Sequence, residues 1–445
     1  MRKNGRISIT MCRQLKTTQK VTVVKRRVLR YQNETMNLND SRGTPSDATI
    51  EGPGAEHMKS QALGKSRPPS LLPDLEDPDE TEQDLEARIR AQLKKTAKEN
   101  TTIEGKLLLV SQFETPREVL CCKYNEEFDY LAAGGADGVI RVYNSNTMEE
   151  SFILSDSDVK DNRAPVTCIK HRPVSKTYPI TNCFTGTYAN GCVKCWSYNF
   201  NQCLYTIREK RQTFGIVYHP RFPKFVTFGD DLKVYFYDEE SKVQERILAA
   251  SDNPDKHDGH MSRVFAACFH TKNNYELITG GWDNTVQFWD LRQPYAVRKI
   301  TGVHMAGEGI DISVSGKEIL TAAFQKANQL ALWDYGSGRC ISVLEPDVYN
   351  SKLYCGKFVT KDFVVTGGTD PNLVRIVDLQ TTGTAAAMNF LPGAVYSFDA
   401  GQVRKKDVPS TINKDIISTR AKSDASSIPR IGFVSSRRLY QIELY

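Results

Sequence analysis

Seven times in this chain, an apolar strand enters a Gly-rich or polar turn and leaves as a second alternating strand. The units are "LAAGGADGVIRVYN" ending at Asn144, "FTGTYANGCVKCWS" at Ser197, "FVTFGDDLKVYFYD" at Asp238 and "LITGGWDNTVQFWD" at Asp290, then "TAAFQKANQLALWD" at Asp334, "VVTGGTDPNLVRIVD" at Asp378 and "GFVSSRRLYQIE" at Glu443. Alternation with a tight polar turn is the signature of a β-hairpin with one buried face. Ahead of each hairpin lies another short strand: "VLCCKY", "VTCIKH", "FGIVYH", "VFAACFH", "GIDISV", "LYCGKF" and "AVYSF". A fourth strand falls between units, as in "SFILS", "LYTI", "RILAA" and "ISVLE". A period a little above 40 residues, where nothing is inserted, requires that each unit bury its face against the next.

Seven such four-stranded units resemble the WD40 β-propeller, over residues 105–445. One repeat keeps the family's full pattern in Gly259-His260, Thr279, Asp283 and Trp289-Asp290. The resemblance implies an all-β, seven-bladed propeller in which His260, Thr279, Asp283 and Trp289 form a hydrogen-bonded structural tetrad. Asp283 is then a satisfied buried acceptor, because a polar group inside a sheet must be paired. Other repeats depart from the pattern. Asp137 and Asn190 keep an Asp-like slot, but Ala133 and Gly186 replace the Ser or Thr, and Val377 and Ile442 replace the Trp. Those blades are expected to lean on apolar packing. The last repeat lacks a fourth strand, and "KLLLVSQF" (106–113) stands alone before the first. Pairing the two closes the ring and removes an open edge. The segment 401–429 then becomes a polar insertion.

Ahead of the repeats, residues 1–79 are rich in Pro, Gly, Ser and charge, with too few apolar anchors to offset ordering entropy. They read as a disordered leader. One short helix is expected at 80–100, with Leu85, Ile89 and Leu93 on one stripe and Thr81 with Asp84 as a capping pair. Its stripe has two uses open to it, packing on the folded body or on a partner.

The net charge of +6 belongs to the leader. Residues 1–31 hold ten Lys and Arg and no acid; the rest carries 49 basic against 53 acidic side chains, a net charge of −4. A nucleic-acid-coating body is therefore not expected, and DNA or RNA contact is left to residues 1–31. There "VTVVKRRVLRYQ" reads first as a solvated tail, with an import patch, an organelle-targeting leader or a site for an acidic partner as the alternatives. No apolar run approaches the roughly 20 residues of a membrane span, so no membrane contact is expected. Without a secretory signal, the 11 scattered cysteines read as reduced thiols of the cytoplasm or nucleus.

Chemistry is sparse. Cys192 and Cys195 share a strand at odd separation, so they point to opposite faces and no metal site is expected. His171, His219 and His270 end the first strand of successive repeats, as turn residues would. No phosphate loop or nucleophile–base pair is legible. No catalysis, cofactor or small-molecule substrate is expected.

Function is left to the loops that converge on a propeller's faces, with other proteins or peptides as partners. Trp282 at a hairpin turn is a candidate anchor, with Arg263 on the same face. Packing against the neighbouring blade is the alternative for Trp282. "LITGGWDNTVQFWDLR" also resembles the DWD box of propellers that dock on the adaptor of a cullin–RING ubiquitin ligase, where the Arg beyond Trp-Asp touches the adaptor. Arg292 is that residue here. The competing role for Arg292 is a rim ion pair with a local carboxylate. The expected function is thus a non-enzymatic scaffold or adaptor. Two further uses stay open: a substrate receptor of a cullin–RING ligase, and a chromatin- or RNA-associated factor working through the basic leader.

Overall fold

The computed structural model describes residues 101–173, 181–253, 256–402 and 429–444. The leader and the helix expected at 80–100 lie outside them. Seven antiparallel sheets are arranged as blades. Blade 1 runs over 119–154, blade 2 over 166–208, blade 3 over 213–248 and blade 4 over 264–301. Blade 5 runs over 310–343 and blade 6 over 352–389. Blade 7 joins Phe398–Gln402, Pro429–Ser435 and Arg438–Leu444 to Leu107–Glu114 from the other end of the chain.

Each of blades 1 to 6 is ordered from an inner first strand to an outer fourth, and first strands pack on first strands. Blade 4 is representative, with Val264–Phe269, Glu276–Gly281, Thr285–Asp290 and Ala296–Thr301. The strand Glu276–Gly281 is buried along almost its whole length, whereas Ala296–Thr301 alternates between buried or half-buried and exposed positions. That gradient is what a sheet shows when both faces meet neighbouring blades near the axis and its edge meets water. Seven apolar clusters fill the interfaces between adjacent blades. Trp289 and Leu277 of blade 4, for example, pack with Val226 and Phe228 of blade 3.

Ring closure pairs Leu107 with Leu444 and Phe113 with Leu439, the two end segments that the sequence left unmatched. Three features differ from the sequence reading. The first strand of blade 7 is Phe398–Gln402, not "AVYSF" (394–398), so it runs past the 401 boundary drawn for the insertion. Val395 and Ser397 instead pack as buried loop residues. Second, a strand precedes the ring closure. Thr102–Gly105 adds to the outer edge of blade 6, with Thr102 opposite Asn389 and Gly105 opposite Ala386. Gly105 takes φ +77°, and a Cβ there would run into the Ala385 carbonyl. Third, the helix found among the described residues, Ser157–Asp161, links blades 1 and 2 and is capped by Asp156, which accepts from Val159 N at 2.8 Å.

Blades lacking the full pattern are not simply apolar. In blade 1, Arg141 in the third strand forks onto Asp137 at 2.8 and 3.3 Å. In blade 2, Lys194 reaches Asp156 at 2.7 Å and Asp158 at 2.8 Å. In blade 3, the register makes Thr227, Asp231 and Tyr237 the equivalents of Thr279, Asp283 and Trp289. Glu209 stands where blade 4 has His260, four residues before the first strand. Between them lies Arg211, donating to Glu209 and Thr227 at 2.7 Å and to Asp231 at 2.6 Å. Tyr237 donates to Glu209 at 2.8 Å. A buried guanidinium–carboxylate network replaces the one built on histidine and tryptophan, which corrects the expectation that such blades rely on apolar packing.

Candidate functional site

The four residues of the full repeat meet inside blade 4. Asp283 Oδ2 lies 2.9 Å from His260 Nδ1, and His260 Nε2 lies 2.7 Å from Thr279 Oγ1. Trp289 Nε1 donates to the same hydroxyl at 2.7 Å. Asp283 also accepts from Met261 N at 2.8 Å and from the Thr285 hydroxyl at 2.8 Å. Burial alone would raise the Asp283 carboxyl, but the hydrogen bond and charge of His260 hold it below the ordinary carboxylate range. Every polar atom is engaged and His260 is 1% exposed, so the group ties a turn to the sheet.

His219 and His270 are turn residues. Their Nδ1 atoms accept from backbone N–H groups, Phe222 at 2.9 Å and Asn273 at 2.8 Å. Their Nε2 atoms face the carbonyls of Asn274 at 2.9 Å and Gly316 at 3.0 Å. A carbonyl only accepts, so Nε2 carries the proton in both rings.

Trp282 begins an aromatic crescent at one mouth of the channel. Phe214 stacks on Phe265 at 4.9 Å, and Phe265 lies 5.9 Å from Trp282. Trp282 stacks on Phe324 at 6.4 Å; Phe324 lies 4.8 Å from Tyr354, and Tyr354 lies 4.8 Å from Tyr396. His304 meets the Trp282 ring edge to face at 4.0 Å. Burial pushes its imidazole towards the neutral form. All but the buried Tyr354 are half-buried, and Lys352 Nζ sits 5.1 Å above the Phe324 ring. Trp282 therefore packs on its neighbours and still shows a face to solvent. Arg263 belongs to the same end, its carbonyl accepting from Trp282 N at 2.8 Å.

The crescent has a periodic origin. Phe214, Phe265 and Tyr354 each occupy a β-bulge near the start of the first strand of blades 3, 4 and 6. A bulge re-aims a side chain. Aligning the repeats by that position would have exposed the pattern; a search for Trp-Asp pairs does not.

Arg292 lies at the other end of Thr285–Asp290. Its guanidinium forks onto Asp290 at 2.9 and 2.6 Å and lies 5.0 Å from the Tyr275 ring, with 68% of the side chain exposed. Trp282 and Arg292 are thus brought to opposite ends of one strand, not into one site.

The channel itself carries charge. Counting along the first strands, one residue per blade faces the axis: Lys123, Lys170, Val217, Cys268, Asp311, Lys357 and Asp399. Lys123 at 2.8 Å and Lys357 at 3.3 Å share Asp399, whose other oxygen accepts from Tyr124 N. Glu308, from the loop before blade 5, spans the channel to Lys170 at 2.7 Å and accepts the Cys168 thiol at 2.8 Å. Burial would raise the Glu308 carboxyl, yet Lys170 and then Lys357 bring it down to about 2. Burial wins at Asp311, whose carboxyl is raised. Among the described residues, no cluster of His, Cys, Asp and Glu is arranged to hold a metal ion.

Seven blades around a channel, with loops gathered at either mouth, define a β-propeller that presents binding surfaces. The family model "WD domain, G-beta repeat" matches residues 108–144 and 254–290, and the chain belongs to the WD40-repeat family. It is 30% identical over 122 residues to protein tipD of Dictyostelium discoideum, covering 27% of this chain and 19% of that protein. It is 26% identical over 192 residues to a ribosome biogenesis protein WDR12 homolog of Anopheles gambiae, covering 40% and 42%. Protein Rae1 of Drosophila melanogaster is 28% identical over 125 residues, covering 28% and 35%. The chain thus spans less than half the length of each.

Proposed function

We propose that this propeller is a non-enzymatic adaptor that receives peptide segments of other proteins on the crescent around Trp282. WD40 propellers serve as protein-interaction scaffolds. The carrying observation is a half-buried aromatic surface drawn from four consecutive blades, the sort of rigid apolar anchor set that concentrates binding energy. The cysteines, scattered along the chain rather than framed in a regular spacing, favour a reducing compartment, the cytoplasm or nucleus. A direct test is to select peptides from a displayed random library on the parent protein. Trp282→Ala and Phe324→Ala should each weaken the selected peptides at least about fivefold. Peptides that bind both variants as tightly as the parent would place the partner site elsewhere.

A second reading, docking on a cullin–RING ligase adaptor, rests on the exposure of Arg292. An adaptor carboxylate would have to compete with Asp290 for the same guanidinium. If this reading holds, the adaptor co-purifies with the parent and with Trp282→Ala, and is lost with Arg292→Ala. Failure of the adaptor to co-purify with the parent removes this reading and leaves the first untouched.

A further inference from the structure

One loop touches three rings of the crescent. Residues 302–309 lead from blade 4 into blade 5. His304 packs edge to face on Trp282 at 4.0 Å, and its backbone carbonyl accepts from Phe324 N at 2.8 Å. Gly307 lies against Tyr354, where an added Cβ would come within 2.5 Å of the Tyr354 carbonyl oxygen. The Glu308 carbonyl accepts from Gly356 N at 3.2 Å, two residues beyond Tyr354. Trp282, Phe324 and Tyr354 belong to blades 4, 5 and 6, so this loop sets the spacing of rings carried by three separate sheets.

The two ends of the loop are held unequally. On the blade 4 side, Val303 N and Met305 N donate to the carbonyls of Asn284 at 3.2 Å and Gly281 at 3.1 Å. On the blade 5 side the chain enters Ile310–Ile312, a first strand of three residues where the other blades have five to seven. Glu308 supplies the hold that this short strand lacks. Its carboxylate crosses the channel to blade 2, where Lys170 Nζ donates at 2.7 Å and the Cys168 thiol at 2.8 Å. Only 16% of the Lys170 side chain and 26% of the Glu308 side chain are exposed, so removing either partner leaves the other charge poorly solvated. Neither Lys170 nor Cys168 belongs to the crescent.

We propose that Glu308 and Lys170 are positioning residues for the peptide crescent: their ion pair pins loop 302–309 from the opposite side of the channel and so fixes Trp282, Phe324 and Tyr354 relative to one another. A binding surface keeps its geometry only when the residues behind it are themselves locked. The coupling runs through contacts that are continuous from Lys170 to Glu308, along the backbone to Gly307 and His304, and onto the rings. Its consequence for binding rests on the adaptor reading above; the positioning itself does not.

Fluorine NMR of the full chain labelled with fluorotryptophan tests this. The chain has four tryptophans, and Trp282→Phe identifies the Trp282 signal. Glu308→Gln and Lys170→Met should each shift or broaden that signal and leave those of the buried Trp196 and Trp289 in place. The double variant should go no further than either single, because all three remove the same contact. Lys123→Met breaks a different channel ion pair, to Asp399, and should leave the Trp282 signal where the parent has it. Peptides selected on the parent and weakened by Trp282→Ala should lose at least about fivefold in affinity with Glu308→Gln and with Lys170→Met. An unmoved Trp282 signal in either variant overturns the proposal, and so does an equal movement in Lys123→Met, which would mean a general loosening of the channel. If both charge variants fail to fold, Glu308→Asp decides: it keeps the charge but draws it back from Lys170, and an unmoved Trp282 signal there overturns the proposal. Peptides that need Trp282 yet bind Glu308→Gln and Lys170→Met as they bind the parent also overturn it, and leave the adaptor reading standing. If no selected peptide needs Trp282, the adaptor reading falls and the fluorine signals still decide the positioning.

Discussion

Blades 3 and 4 sit side by side and solve one burial problem with opposite chemistry. Blade 4 ties its turn to its sheet with His260, Thr279, Asp283 and Trp289, where a ring nitrogen, a hydroxyl and an indole pass hydrogen bonds to one carboxylate. Blade 3 puts Glu209 in the histidine slot and closes the same circuit with Arg211, both side chains 1% exposed. The guanidinium satisfies four partners at once and stacks 3.8 Å over Tyr235. What the fold demands at this place is a closed polar circuit; the side chains that close it are negotiable.

The largest effect should come from breaking the ionic version on one side only. Arg211→Leu leaves Glu209 buried without its cation and should destabilise by about 3–5 kcal/mol, read from denaturant midpoints. Replacing Glu209 and Arg211 together by apolar residues should recover most of that loss. If the double variant is as unstable as the single, the ion pair stabilises the blade more than closure of a circuit explains. Trp289→Ala should cost about 3–5 kcal/mol in blade 4, through a cavity rather than a stranded charge. Tyr237→Phe in blade 3 should cost only about 1 kcal/mol, since it removes one hydroxyl to Glu209 and leaves the ring. Equal losses at these two positions would mean that the blades are not equivalent. Asp283→Ala should cost about 1–3 kcal/mol by leaving the donors of His260 and Met261 unsatisfied.

The smallest difference is in pH dependence. The folded carboxyl of Asp283 is depressed, so its stabilisation is present above the unfolded value, about 3.9, and is lost as pH falls through the lower folded value. Asp283→Asn should therefore flatten the acid limb of a stability–pH curve and leave the neutral limb parallel to the parent. An unchanged acid limb would show that Asp283 does not carry the linkage.

Blade 4 was legible because its residues fall in a known order, Gly-His, Thr, Asp and Trp-Asp, within one stretch of sequence. Blade 3 was not, since Glu209 and Arg211 match no such pattern and find their partners only through the register of Lys224–Gly229 with Val234–Asp238. Ring closure could be read because an unmatched strand at each end left one arrangement. The channel lysines and the crescent aromatics other than Trp282 were invisible for a different reason. They are scattered over successive repeats, so only a comparison down the repeats, not along the chain, brings them together. Trp282 and Arg292 were both singled out from one stretch of sequence, and the strand Thr285–Asp290 between them sets them at its two ends.

The strand Thr102–Gly105 has a mechanical consequence. It bonds to blade 6, while Leu107–Glu114, beginning two residues later, bonds to blade 7. Anything tethered ahead of residue 101 hauls first on a four-residue ladder and only afterwards on the eight-residue strand that seals the circle. Tension along such strands loads their hydrogen bonds in shear, and the shorter ladder yields first. On these lengths alone, load from ahead of residue 101 should part the small strand before the seam behind it.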